Sequence, residues 1–156
     1  MAAVLTLTAA GSSSWVTFRT DGVRIRHPSN WNATARPLTP VTSPEQVLAV
    51  ASFAFPEDPR PNGCRPAGTL AKKQPSGAVI FVIEYGADNP SAFPQRPTHF
   101  KLRAFANYEC FGRSYQLRFR EAGRYFQVFA SFGRRATPST RETILRILDS
   151  FIAKPR

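Results

Sequence analysis

The chain has 156 residues, 42% of them hydrophobic and 20% charged, with a net charge of +11. That balance excludes a disordered chain, and the length suits one domain that can bury a core without staples. No run approaches the roughly 20 apolar residues of a membrane-crossing helix, and no block of like charges forms a basic tail. Seventeen of the 21 basic residues are arginine, whose planar forks suit carboxylate and phosphate groups. A basic surface points to an acidic partner, an anionic lipid or polymer, or nucleic acid. The same arginine bias, with fourteen prolines, is also the background of GC-rich genomes.

The chain reads as an N-terminal segment, residues 1–13, and a single domain, residues 14–156. Residues 1–13 are a first strand or the remnant of a signal, since they lack the basic start of a secretory signal. From Ser14 to Thr20, Trp15, Thr17 and Arg19 alternate with Val16 and Phe18, which predicts a strand. Asp21-Gly22 is a hairpin turn signal. Val23 to His27 returns with Val23 and Ile25 inward and Arg24 and Arg26 outward. Asn32 to Glu45 is proline-rich and irregular or edge-like. Gln46 to Phe55 is apolar on both faces and predicts a central strand. Pro66 to Gln74 is a short helix candidate, and Ala78 to Tyr85 a second central strand. Thr98 to Ala106 alternates as a further strand.

The densest stretch is Tyr108 to Gly133. Tyr115, Leu117 and Phe119 share one face of a strand, and Gln116, Arg118 and Arg120 the other. A turn at Glu121-Ala122-Gly123 follows. In the returning strand Phe126, Val128, Ala130 and Phe132 face one way, and Tyr125, Gln127, Phe129 and Ser131 the other. Aromatics on both faces imply a strand covered on both sides by a helix or loop, or one with an exposed aromatic patch. Thr137 to Ala153 predicts a long amphipathic helix with Ile144, Leu145, Ile147, Leu148, Phe151 and Ile152 on its apolar face. Its start is capped by Thr137 with Pro138 following, or by a Ser139/Glu142 capping box. The order gives an α+β fold: a twisted, mostly antiparallel sheet of about six to seven strands, a short middle helix and a long C-terminal helix packed on it.

Catalytic signals are sparse. There is no nucleophile elbow and no glycine-rich phosphate loop. Cysteine spacing and the two isolated histidines, His27 and His99, give no metal site, and no cofactor is implied. A small hydrolase or ligand-processing enzyme would need Glu84, Glu109 and His99 to converge. Cys64 and Cys110 are either one disulfide, in an exported domain, or two buried thiols, in a cytosolic one. The positive candidate is a surface: Arg24, Arg26, Arg118, Arg120 and Arg124 beside Tyr125 and Phe129. Arginine with aromatics also suits nucleic acid, but no nucleic-acid-binding motif accompanies it.

Four pieces together carry a resemblance: DGVRIRHPSNW, the two-sided central strand, GRYFQVFASFG and TRETILRILDSF. This pattern resembles the PsbP-like superfamily, and within it secreted or lipid-anchored actinobacterial domains. The resemblance implies an α/β/α sandwich around an antiparallel sheet. It implies a non-catalytic, extracytoplasmic binding or accessory role, with a protein or an anionic cell-surface component as partner. It also favours the Cys64–Cys110 disulfide.

Overall fold

The computed structural model describes residues 14–37, 44–56, 68–70, 72–86 and 90–156. The segment 1–13 and Cys64 lie outside the described residues. The fold is α+β and mostly antiparallel, built on two sheets. The larger holds β3 (Asn32–Thr34), β4 (Glu45–Ala51), β5 (Ala78–Tyr85), β6 (Ala104–Tyr108), β7 (Gly112–Glu121) and β8 (Arg124–Phe132), in the order β3-β4-β5-β8-β7-β6. The smaller holds β1 (Trp15–Thr20), β2 (Val23–Pro28) and β9 (Ile152–Ala153), in the order β1-β2-β9. The single sheet expected from the sequence is thus two. The strand expected over 98–106 begins only at Ala104. Residues 68–70 are helical, inside the expected short helix.

The C-terminal helix α1 (Pro138–Asp149) is shorter than its apolar periodicity suggests. The Thr137 hydroxyl caps it, accepting from the Thr140 N–H at 3.1 Å, with Pro138 in the first turn. Ser150 is its C-cap: the backbone N–H still donates to Arg146 O at 3.2 Å, while the Oγ accepts from the Arg26 N–H at 2.8 Å and donates to Ile147 O at 2.6 Å. Phe151 stays buried, whereas Ile152, expected on the helix's apolar face, sits in β9 opposite Arg24 and is exposed.

Alternation decides what each face buries. On one face of the large sheet, Leu48, Ile80, Val82, Leu117, Phe119, Phe126 and Val128 meet Ile144, Ile147 and Leu148 of α1 and Val23 and Ile25 of β2. On the other, Ala49, Phe81, Ile83 and Phe129 lie under Phe53, Leu70, Tyr108 and Phe111. The second face is therefore covered too, as the aromatics of β8 imply. Phe111 stacks on Phe129 with centroids 3.9 Å apart, and Phe93 meets Tyr125 at 5.6 Å. Among the described residues, no helix is long and apolar enough to cross a membrane. Cys110 is disulfide-bonded and no cysteine among the described residues is a free thiol.

Candidate functional site

The seven residues expected to form one surface fall in three places. Arg24 and Arg26 project from β2 on the outer face of the small sheet. Arg118 and Arg120 project from the opposite side of the molecule, beyond the face covered by loops. There the Arg118 guanidinium lies 5.8 Å from the Phe93 ring centroid, and half-buried Tyr125 packs behind Phe93. Arg124 and Phe129 are not surface residues at all; each is only 5% exposed.

The burial of Arg124 has a clear cause. Ala122 and Gly123 have φ of 53° and 75°, the conformation of a two-residue hairpin loop, so Glu121 pairs with Arg124 and Arg120 with Tyr125. This register puts Arg124 in phase with Phe126 and Val128, facing the core. Its guanidinium forms a two-pronged pair with Glu84, Nε to Oε1 at 2.8 Å and Nη2 to Oε2 at 2.6 Å. Nη1 donates to the Asp21 carbonyl at 2.8 Å and more weakly to that of Lys154 at 3.4 Å. The hydrogen bonds to Glu84 raise the Arg124 pKa above its ordinary value despite burial. Arg124 is a clamp between the two sheets and the chain's last residues.

The groups that an enzyme would need do not converge. Glu84 is buried against Arg124 and Arg156. His99 is paired through Nδ1 with Asp149 Oδ2 at 3.0 Å. Glu109 is exposed in the turn between β6 and β7, at the end of the sheet opposite Glu84. No group of carboxylates, histidines and cysteines among the described residues forms a metal site.

What the structure does assemble is an arginine face on the small sheet. Asp21 and Gly22, with φ of 43° and 71°, make a two-residue turn. The register that follows sets Arg19 directly opposite Arg24, and Thr17 opposite Arg26. All three arginines are exposed and none forms an ion pair among the described residues. Arg19, Arg24 and Lys154 line a cleft of about 620 Å³ beside the turn, in which Asp21 is the one carboxylate among the described residues. At the far edge the Arg146 guanidinium lies over the Trp15 ring, 4.6 Å from its centroid. Arg19 and Trp15 were outside the expected surface. Their place was readable from the Asp21-Gly22 turn, because a two-residue loop fixes which residues oppose each other.

No family model matches the chain, and no curated protein or solved structure matches it significantly.

Proposed function

We propose that this is a non-catalytic, extracytoplasmic interaction domain of PsbP-like type that docks on anionic lipid headgroups through Arg19, Arg24, Arg26 and Arg146. One observation carries the reading: Arg19 and Arg24 face each other across the β1–β2 ladder with no carboxylate among the described residues bound to either. Like charges directly opposed on a sheet destabilise it, so a pair kept in the open suits an anion from outside the chain. The antiparallel sheet with α1 on one face supports the family reading. The disulfide-bonded Cys110 supports an oxidising compartment, and Cys64 is its proposed partner, to be checked by thiol titration of unfolded, unreduced protein.

The decisive experiment is cosedimentation with phosphatidylglycerol-containing and pure phosphatidylcholine vesicles. The protein is expected on the anionic vesicles alone, with binding that weakens as salt rises. Each basic residue near such a surface contributes about 1 kcal/mol, so Arg19→Glu/Arg24→Glu/Arg26→Glu should weaken binding by at least a hundredfold. Arg118→Glu/Arg120→Glu should retain it. Equal partition onto both vesicles, or equal loss in both variants, overturns the reading.

A further inference from the structure

A second cationic site lies at the other end of the molecule. The nine-residue strand β8 has Arg124 and Phe132 at its two ends, about 27 Å apart along the extended chain. At the Phe132 end, a cleft of about 580 Å³ opens between β6, β7, β8, α1 and the side chains of Leu70 and Lys73. That volume is in the range of small-molecule sites. Lys73, Arg113, Arg134 and Arg141 line it, and no carboxylate among the described residues does.

The cations are fixed by neutral groups. Lys73 is half-buried, and its ammonium donates to Ser131 Oγ at 2.6 Å and to the Phe132 carbonyl at 3.0 Å. An ammonium has three donors, so one is left over. The Arg141 guanidinium lies 4.6 Å from the Phe132 centroid and 5.7 Å from that of Tyr115, and it donates to the Tyr115 hydroxyl at 3.3 Å. Arg113 lies 5.2 Å from the centroid of Phe105. A guanidinium resting on a ring keeps its in-plane N–H groups free to donate, and it is held flat in advance. Phe105 is 47% exposed and packs on Tyr115 at 4.7 Å, leaving an apolar lip at the mouth.

Partly desolvated cations without a counter-charge are unfavourable unless something supplies one. Burial already lowers the Lys73 pKa from its ordinary value. Preset guanidinium forks match the oxygens of a tetrahedral phosphate, and the aromatic lip matches an apolar body attached to it.

We propose that this cleft binds a small organic phosphate ester, its phosphate held by Lys73, Arg113 and Arg141 and its apolar or aromatic body resting on Phe105. Such a group could belong to a soluble ester or to a lipid headgroup, and the probes separate the two. Calorimetric titration of the full chain would use inorganic phosphate, phenyl phosphate and dihexanoyl phosphatidic acid. Both esters should bind more tightly than inorganic phosphate. The tighter ester identifies the source. Arg113→Gln and Arg141→Gln should each weaken ester binding by about tenfold, the scale of a lost charge-assisted hydrogen bond, with unchanged thermal unfolding. Phe105→Ala should erase the advantage of phenyl phosphate over inorganic phosphate. Arg118→Gln, which removes the same charge elsewhere, should change nothing. Esters that bind no better than inorganic phosphate, or arginine variants that melt and bind like the parent, overturn the proposal.

Discussion

The two ends of β8 use arginine in opposite ways. At the Arg124 end the charges are paired: Arg124 with Glu84, Arg156 with Glu84, and Glu121 with Arg96 and the Ala153 N–H. At the Phe132 end Lys73, Arg113 and Arg141 have aromatic rings, hydroxyls and a carbonyl as neighbours, and no carboxylate among the described residues. The difference shows that arginine and aromatics together do not define a site. The chain supplies the counter-charge at one end and leaves it to be supplied at the other.

The largest expected effect breaks the paired end. Arg124→Ala leaves Glu84 buried with only the exposed Arg156 beside it, and breaking a buried pair typically costs about 3–5 kcal/mol. Urea unfolding should show that loss. Replacing Arg124 and Glu84 together by apolar residues should cost less than the single change. A single variant as stable as the parent would mean that the clamp is idle.

A smaller loss is expected where backbones crowd at the other end. A Cβ on Gly133 would stand 2.1 Å from the Pro75 carbonyl oxygen, a backbone atom that cannot swing aside. The Gly133 N–H also donates to Gly77 O at 2.7 Å, and the Arg135 N–H to Pro75 O at 2.7 Å. Gly133→Ala must push the 74–77 turn away, and overpacking of this kind costs about 1–3 kcal/mol. Thermal unfolding reads it directly.

The contrast is sharpened by pH, because the two ends titrate with opposite sign. Burial lowers the Lys73 pKa below 10.5. Between the lowered value and 10.5 the unfolded chain binds more protons, so stability rises as pH climbs through that window. Burial raises the Glu121 carboxyl above 4.5, against the opposing effects of the Ala153 N–H and Arg96. Just above 4.5 the folded chain binds more protons, so stability falls as pH rises through that window. Urea midpoints against pH should lose the alkaline rise in Lys73→Met and the acidic fall in Glu121→Gln. If either slope survives its substitution, the charge responsible lies elsewhere.

The smallest effect concerns the turn that aims Arg124. Ala122 holds a φ of 53°, a left-handed conformation that asparagine and glycine adopt more readily. Ala122→Asn should stabilise the protein by up to about 1 kcal/mol. A loss of stability would show that the turn is held by its neighbours and not by its own preference.

Much of this architecture was legible in the sequence. Ala78 to Tyr85 is a central strand with the expected bounds, and the alternation from Arg124 to Phe132 sorts the faces correctly. The burial of Arg124 was also written there: with a two-residue loop, it falls in step with Phe126. Reading the loop as three residues placed it outside. The fate of Phe129 was not legible, because Phe111 and Tyr108 reach it from another turn. Nor was the end of α1, since Phe151 and Ile152 continue its apolar spacing. The helix ends where Ser150 caps it and the next residues turn to pair with β2, whose Arg26 lies 124 residues from Ser150 in sequence. The cleft beside Phe132 is invisible in one dimension for the same reason: Lys73, Arg113 and Arg141 come from three separate segments.

The short strand β9 joins three parts of the chain that are distant in sequence. Ala153 donates to Glu121, Lys154 donates to Gly22 O, and the Lys154 carbonyl accepts from Arg124. Without these contacts β2 has no partner on one edge and the Arg124 clamp lacks one of its three attachments. Two residues of strand thus help fasten the small sheet to the large one, together with a contact between Gly22 and Lys154, far apart in the chain.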